Sequence, residues 1–227
     1  MPKKIRVLLV DDHPLVREGL VNLIAQQPDL EVCGEAGNEP QALALVSSAQ
    51  PDVAVVDLTL ENGSGLELIK SIKAGHPGVA VLVLSMHDES LYAERALHAG
   101  ARGYIMKREA AKKVIQGIRA VCAGQLYVSE KISAGMAEKF AGGRLAAPAS
   151  PVEQLSDREL AVFELLGQGQ NTRQIADHLH VGFKTVQSYC ARIKEKLQLA
   201  NATELLRAAI RWHEGRQNND SSDRPTN

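Results

Sequence analysis

Residues 53–57 read Val-Ala-Val-Val-Asp, an apolar run of strand-forming residues that ends at one carboxylate. Three more short apolar runs in the N-terminal half end at polar residues in the same way: residues 5–10 before Asp11 and Asp12, residues 79–84 before Ser85, and residues 103–106 before Lys107. In an open parallel sheet the ligand crevice lies beyond the carboxyl ends of the strands. We therefore expect these polar residues to converge on one site.

The predicted site combines three carboxylates with one hydroxyl and one ammonium group. Oxygen ligands of this hard type suit Mg²⁺, and a carboxylate beside Mg²⁺ and a lysine is equipped to accept a phosphoryl group. A single carboxylate at a strand end is most often a helix cap or a surface charge. Four strand ends with complementary roles favour instead an aspartyl-phosphate site at Asp57.

The composition fits a two-domain protein in a reducing compartment. The chain has 227 residues, of which 44% are hydrophobic, so it is long enough for two cores. Its three cysteines lie apart without a CxxC pair, which favours reduced thiols over disulfides or a zinc site. No apolar run approaches the roughly 18 residues that cross a bilayer. We expect a soluble, cytoplasmic protein that does not bind membranes.

Strand and helix patterns alternate along the first domain, which we place at residues 1–124. Five strands and five helices result when residues 31–35 count as the second strand, and this alternation predicts a doubly wound α/β fold with a parallel sheet. A linker with a short helix follows at residues 125–152, and a small all-α domain at residues 153–213. The polar residues 214–227 are predicted to form a disordered tail.

The C-terminal domain has the pattern of a helix-turn-helix. Ser156 and Glu159 form a capping-box pattern at the start of its first helix. A second helix starts at Asn171 or Thr172, and a turn at residues 180–182 leads to a third. The apolar face of the third helix is formed by Val186, Cys190, Ile193 and Leu197. Its opposite face is polar and basic and is formed by Lys184, Gln187, Ser188, Ala191 and Arg192. Such a helix after a short turn is suited to reading the major groove of DNA.

These motifs resemble two known families. Residues 4–122 resemble the response-regulator receiver family and residues 153–213 resemble the LuxR-type helix-turn-helix, a combination typical of the NarL/FixJ class. The resemblance implies a flavodoxin-like (βα)5 receiver domain that binds Mg²⁺ and is phosphorylated by a sensor histidine kinase. The implied roles are phosphoacceptor for Asp57, metal ligand for Asp11, Asp12, Asp57 and the backbone carbonyl of Thr59, phosphoryl contact for Ser85 and Lys107, and coupled aromatic switch for Tyr104.

The same resemblance assigns two surfaces to the second domain. DNA contacts are expected at Lys184, Thr185, Gln187, Ser188, Ala191, Arg192 and Lys196, and contacts between the two copies of a homodimer at Leu205, Leu206, Ala209 and Trp212. The recognition helix has fewer basic residues than is usual in the family, which predicts weaker binding with a shallower salt dependence. A solvated helix face is the alternative for the first set, and core packing within one domain is the alternative for the second.

We predict a transcription factor rather than an enzyme, with double-stranded promoter DNA and a sensor histidine kinase as partners and RNA polymerase as a further one. Three alternatives are less well supported. A haloacid-dehalogenase-like phosphatase would have a second aspartate where this chain has Thr59, and a nucleotide-binding flavodoxin-like module would have a glycine-rich loop after the first strand. The intact acidic site argues against a receiver that dimerises without phosphorylation, and Glu61, which stands where the family commonly has proline, keeps this alternative open. At single positions, Ser85 as a helix cap and Tyr104 as a strand filler are the plain alternatives.

Overall fold

The computed structural model describes residues 3–60, 63–141 and 151–222, which belong to two compact units that divide after Leu145. The first unit contains a parallel sheet with flanking helices, and the second is helical. This arrangement confirms the predicted doubly wound α/β domain followed by an all-α domain. No helix within the described residues is both long and apolar enough to cross a membrane.

The strands of the first unit are, in chain order, β1 at Ile5–Val10, β2 at Leu30–Ala36, β3 at Val53–Val56, β4 at Thr59–Leu60, β5 at Gly63–Ser64, β6 at Ala80–Ser85 and β7 at Gly103–Met106. Strands β4 and β5 pair antiparallel with each other, and the remaining five form the parallel sheet in the order β2-β1-β3-β6-β7. Every residue of β3 and β7 is buried. Such continuous burial is expected where helices cover both faces of a parallel sheet.

The helices that flank this sheet are α1 at Pro14–Ala25, α2 at Glu39–Ala49, α3 at Gly65–Gly75, α4 at Glu89–Ala99 and α5 at Ala110–Cys122. Proline stands in the first turn of α1, where the missing N–H would have no helical partner. Asn38 caps α2 and Asp88 caps α4, because each side chain accepts a hydrogen bond from a backbone N–H of the first turn. The strand order reverses between β1 and β3, which places the crevice of the sheet beyond their carboxyl ends.

The first unit continues past residue 124, where the sequence places the start of a linker. Tyr127 forms a parallel bridge with Gly103 at the edge of the sheet, which satisfies backbone groups that an edge strand leaves unpaired. Helix α6 at Glu130–Ala141 then packs against α4, with Ile132 buried. The linker predicted at residues 125–152 therefore starts as a packed part of the first unit. Residues 142–150 lie outside the described part of the chain.

The second unit follows a 3₁₀ turn at Pro151–Gln154 and consists of α7 at Asp157–Gly167, α8 at Thr172–His178, α9 at Phe183–Lys196 and α10 at Ala202–Ser222. The capping box predicted at Ser156 and Glu159 is confirmed, since each side chain accepts a hydrogen bond from the backbone of the other. A second capping box at Asn171 and Gln174 starts α8. Gly182 stands at the N-cap of α9, directly before Phe183, and has no side chain to cap the helix. Helices α8 and α9 with their short connection form the predicted helix-turn-helix.

Helix α10 includes residues 214–222, the first part of the tail that is predicted to be disordered at residues 214–227. The helix runs to Ser222, well past residue 213, where the predicted domain ends. Helix formation is cooperative, because a packed first part nucleates the helix and each further residue adds a hydrogen bond. Glu214, Arg216 and Gln217 favour helices, whereas Gly215 and residues 218–222 do not, so cooperativity rather than intrinsic propensity accounts for the added turns. Residues 223–227 lie outside the described part of the chain.

Candidate phosphoryl-acceptor site and DNA-binding face

Asp57 follows β3 directly and is 3% exposed. Its backbone N–H donates to the carbonyl of Val10 at 2.8 Å, which ties it to the end of β1. Gly65 begins α3 so close to this residue that a Cβ there would lie 2.1 Å from the Asp57 carbonyl oxygen. Glycine is therefore required at this position. Gly65 is not among the residues predicted from the sequence, although the Gly-Ser-Gly run at residues 63–65 is the signal for it.

Lys107 joins two of the predicted carboxylates. Its Nζ lies 2.7 Å from an oxygen of Asp57 and 2.7 Å from an oxygen of Asp11. Burial raises the pKa of the Asp57 carboxyl, although the Lys107 ammonium opposes this shift. Burial alone would lower the pKa of Lys107, but the carboxylates of Asp57 and Asp11 outweigh it and raise that pKa. The lysine is therefore held as a cation at the acidic site.

The acidic groups fit a divalent cation. Asp11, Asp12, His13 and Asp57 each offer a ligand atom, and these atoms all lie within 4.8 Å of one another. Among the described residues, Oδ1 of Asp57 and Oδ1 of Asp12 are buried and have no hydrogen-bond partner. The Asp12 atom lies 2.6 Å from Nδ1 of His13, but this contact does not form a hydrogen bond. Carboxylate oxygens that are buried and unsatisfied suit Mg²⁺, which takes oxygen ligands. The role of the Thr59 carbonyl as a ligand stays a prediction.

Ser85 and Tyr104, the predicted switch residues, meet at one loop. Ser85 is fully buried, and its Oγ accepts a hydrogen bond from the backbone N–H of His87 at 3.1 Å. The Tyr104 hydroxyl donates to the carbonyl of His87 at 2.7 Å, and the ring is 2% exposed. Ser85 does not cap α4, because Asp88 occupies that position. Both side chains thus hold the same residue, and their switching roles stay predictions.

Two residues that the sequence did not identify also shape the acidic site. Arg17 of α1 donates from its guanidinium to the backbone carbonyl of Asp11. The backbone N–H of His13 donates to Oδ1 of Asp11 at 2.9 Å. Together these bonds fix the loop that presents the first two carboxylates. The arginine lies in the first turn of α1 and six residues after Asp11, so spacing alone gave no signal for the contact, whereas His13 directly follows the aspartates.

Helix α9 presents the polar face predicted to contact DNA. Its residues Lys184, Thr185, Gln187, Ser188, Ala191 and Arg192 are all exposed. Val186 and Ile193 on the opposite face are fully buried, so the helix is fixed against the rest of its unit. One side of α9 is therefore available to a ligand, while the other belongs to the core.

Lys196 has a carboxylate partner within its own unit, and its predicted contact with DNA stays a prediction. Its Nζ lies 2.6 Å from Oε2 of Glu159 and 3.2 Å from the carbonyl of Gln154. Burial would raise the pKa of Glu159, but hydrogen bonds from Lys196 and Ser156 outweigh it and lower that pKa. The ammonium thus neutralises a carboxylate that is 3% exposed, while the lysine side chain itself is 38% exposed. Lys196 holds α9 to the start of α7.

The residues predicted for dimerisation lie on two different sides of α10. Leu205 and Ala209 are buried within their own unit, and the Trp212 ring packs 5.4 Å from the ring of Phe163. Side chains enclosed in this way cannot contact a second copy of the chain, so the dimerisation role of Leu205 and Ala209 is corrected to core packing. Leu206 points outward and is 40% exposed. Leu206 is the most exposed member of the predicted set, and Trp212 is half-buried, so the dimerisation role of these two residues stays a prediction.

Comparisons with known families account for both units. Residues 7–119 match the response regulator receiver domain family. Residues 153–209 match the bacterial regulatory proteins of the luxR family. The first match ends before Tyr127 and α6, and the second begins at the 3₁₀ turn that precedes α7.

Relatives match over nearly the whole chain. The DNA-binding transcriptional activator DevR/DosR of Mycobacterium tuberculosis is 35% identical over 200 residues, which cover 88% of this chain and 91% of that protein. The response regulator GacA of Pseudomonas viridiflava is 35% identical over 207 residues, covering 91% and 96%. RcsB of Salmonella enterica serovar Typhimurium, solved bound to promoter DNA with the phosphomimetic BeF3⁻, has a TM-score of 0.63 and 25% identity over 90% of this chain and 98% of that one. The chain belongs to the two-component response regulators, which are DNA-binding transcription regulators rather than enzymes, and it joins a receiver domain to a luxR-family domain.

Proposed function

We propose that DNA binding by this response regulator is controlled by transfer of a phosphoryl group from a sensor histidine kinase to Asp57. The observation that carries the proposal is the Asp57 carboxylate, which Lys107 holds at one oxygen while the other oxygen has no hydrogen bond among the described residues. In the transfer, the phosphorus–nitrogen bond of a phosphohistidine breaks and a bond forms between phosphorus and an Asp57 oxygen. The imidazole leaves with its electron pair.

The surrounding charges would stabilise this transfer. Asp11, Asp12 and Asp57 would hold Mg²⁺, which supplies positive charge to the phosphoryl oxygens when it is bound. Lys107 adds a compact cation, and its ammonium would turn from Asp57 to a phosphoryl oxygen after the transfer. The site is buried, so these charges act through little water and their effect on the transferring group is large.

The added charge would then bias the loop that follows β6. Ser85 would turn its hydroxyl towards the phosphoryl group and give up its bond to His87, and Tyr104 would change its position with that loop. Such a local change of charge with a second stable arrangement is how phosphorylation switches operate. Helix α4 follows this loop directly, and β7 is bonded to the loop through Tyr104, so the surfaces of both elements would carry the change outward.

The second unit would read promoter DNA through α9. Gln187 has the amide that pairs with an adenine edge, and Lys184 and Arg192 have charges that suit phosphates or guanine. RcsB, similar in fold, is solved on promoter DNA, and a two-fold operator would bind two copies of the chain with Leu206 near their contact. A regulator of this kind shares a compartment with the bacterial chromosome and with RNA polymerase, so we place it in the cytoplasm.

The proposal is tested by phosphorylating the full chain with acetyl phosphate and Mg²⁺ and measuring intact mass, light scattering and retention of fragmented genomic DNA. We expect one phosphoryl group on the wild type, a shift towards dimer and tighter DNA retention, with none of these changes in Asp57→Asn. Asp29→Asn, which alters an exposed carboxylate paired with Arg119, serves as the matched control and should behave as wild type. Equal labelling of the wild type and Asp57→Asn would overturn the assignment of Asp57.

A further inference from the structure

His87 gathers contacts from three parts of the phosphoryl site. Its backbone N–H donates to Ser85, its backbone carbonyl accepts from Tyr104, and its Nε2 lies 3.1 Å from the hydroxyl of Thr59. The imidazole also packs on Tyr92 of α4, with ring centroids 4.5 Å apart. One residue between β6 and α4 is therefore bonded to both predicted switch residues and to the segment that follows Asp57.

The same loop is bonded to α6 at its other end. Glu89, two residues after His87, accepts a hydrogen bond from the Ser129 hydroxyl at 2.9 Å. The Ser129 hydroxyl in turn accepts from the backbone N–H of Ile132 in the first turn of α6, at 3.3 Å. Ser129 thus joins the start of α4 to the start of α6 with one side chain.

A backbone connection runs in parallel with this contact. The N–H of Tyr104 donates to the carbonyl of Tyr127 at 2.8 Å, and the N–H of Tyr127 donates to the carbonyl of Arg102 at 2.9 Å. Tyr104 is therefore bonded through its hydroxyl to the loop and through its backbone to the segment before α6. A movement of Tyr104 or of the loop acts on the two anchors of α6 together.

We propose that His87 is a positioning residue that couples Asp57 to α6, and that phosphorylation releases α6 from α4 by breaking the contact between Glu89 and Ser129. The inference rests on the function proposed above and specifies how that site is read. When Ser85 turns to the phosphoryl group, the His87 N–H loses its acceptor and the loop shifts. Glu89 moves with the loop because it begins α4, and the Ser129 hydroxyl then loses its acceptor.

Helix α6 is well placed to pass on such a change. It is the last described element before residues 142–150, which lead along the chain to the DNA-binding unit. Its buried anchor in the first half is Ile132, whereas Glu130, Lys131 and Ser133 are exposed. Among the described side chains of α6, Ile132 is the buried apolar one, and a helix with little buried apolar surface opens locally at low cost, which is typical of elements that move in switches.

The relay is tested by hydrogen exchange of the full chain, read by mass spectrometry on peptides from residues 125–141, before and after addition of Mg²⁺ with beryllofluoride. In the wild type we expect exchange of these amides to rise about fivefold, the equivalent of one lost hydrogen bond. Ser129→Ala should show the faster exchange without beryllofluoride and little further change with it. Ser129→Thr keeps a hydroxyl and should behave as wild type.

Variants of His87 separate coupling from simple packing. His87→Ala keeps the backbone bonds to Ser85 and Tyr104 but removes the imidazole contacts that tie the loop to Thr59 and to Tyr92 of α4. A shift of the loop is then no longer passed to α4, so beryllofluoride should no longer accelerate exchange in residues 125–141, and an unchanged acceleration would overturn the role of His87. Ligand binding is read independently from protection of the amides around Asp57. Protection around Asp57 without any change at α6 in the wild type would overturn the relay and leave the proposed function intact. Absence of any protection around Asp57 in the wild type would overturn both the proposed function and the relay. Faster exchange throughout the sheet in Ser129→Ala would show a general loss of packing and would also overturn the relay.

Discussion

The phosphoryl site and the recognition helix carry their charges in opposite ways. The side chains of Asp57 and Lys107 are 3% and 10% exposed, whereas Lys184 and Arg192 of α9 are exposed to solvent. Buried charges interact strongly because little water screens them, and each depends on its neighbours. Exposed charges act through water and salt and contribute small, nearly independent amounts. The phosphoryl site is therefore suited to a switch between two states, and the exposed face of α9 is suited to binding a long polyanion such as DNA.

Lys107→Met tests the buried side of this contrast and should have the largest effect. The substitution removes the cation that lies 2.7 Å from both Asp57 and Asp11. We expect phosphorylation by acetyl phosphate to slow by about a hundredfold, as for the loss of one preorganised donor at a site of developing charge. The rate is measured by intact mass against time. Lys113→Met breaks an exposed pair with Glu109 and should keep the wild-type rate, and an equal rate in Lys107→Met would contradict a phosphoryl contact by this lysine.

Glu159→Gln tests whether the contribution of a charge to stability depends on its burial rather than on its location in the first unit. Glu159 belongs to the DNA-binding unit but is 3% exposed and bonded to Lys196. We expect this unit to lose about 2 kcal/mol in its free energy of unfolding, because a buried partner is left incompletely paired. Urea unfolding followed by the fluorescence of Trp212, the single tryptophan of the chain, reports on this unit. Glu195→Gln on the exposed side of α9 is the control, and equal losses in both variants would refute the role of burial.

The same carboxylate predicts how the stability of the unit depends on pH. Hydrogen bonds from Lys196 and Ser156 outweigh burial and hold the pKa of Glu159 below its usual 4.5. A carboxyl whose pKa is lower in the folded state stabilises the fold above the unfolded pKa, and this contribution is lost as the pH falls through the folded pKa. The stability difference between wild type and Glu159→Gln should be constant from neutral pH to about pH 5 and then shrink. A difference unchanged at about pH 3 would contradict the lowered pKa.

The contrast between the two regions also separates what sequence predicts from what it does not. The strand ends at Asp57, Ser85 and Lys107 were predictable because residues that close parallel strands meet at one edge of the sheet. The capping box at Ser156 and Glu159 was predictable because its partners lie within one turn of helix. These features depend on local spacing or on a general property of the fold.

Contacts between distant segments were not predictable in the same way. Lys196 and Glu159 are far apart in the sequence, and the polar pattern at the end of the recognition helix does not indicate that this lysine pairs with a buried carboxylate. Tyr127 lies in the segment predicted as a linker, and the unpaired edge of β7 explains its position. In α10, Leu205 and Leu206 are both apolar, and packing against α7 decides which of them is buried.

Leu206→Glu tests the surface that remains for dimerisation. The side chain is 40% exposed, so a charge there should change the stability of the unit by no more than about 0.5 kcal/mol. If Leu206 lies near the contact between two copies, the dissociation constant of the phosphorylated dimer should rise about tenfold, since an apolar contact of that kind contributes more than 1 kcal/mol at an interface. Sedimentation velocity over a concentration series measures it. Arg207→Glu, on the exposed side of α10, is the control, because Ile210 is half-buried and would disturb the core. Equal effects of Leu206→Glu and Arg207→Glu on the dissociation constant would point to charge rather than to an apolar contact.

Lys184→Ala tests the exposed side of the contrast and should have the smallest effect. Lys184 lies in the first turn of α9, and its side chain is exposed to solvent. The Ser188 hydroxyl donates a hydrogen bond to the backbone carbonyl of Lys184. Loss of one phosphate contact should weaken DNA binding about threefold and reduce the slope of log affinity against log salt by about 0.9. Fluorescence anisotropy on a retained genomic fragment, at several salt concentrations, measures both quantities. Lys194→Ala, on the partly buried flank of the helix, is the matched control and should leave the slope unchanged. A loss of affinity with no change in slope would mean that Lys184 contributes to α9 itself and not to neutralisation of the DNA backbone.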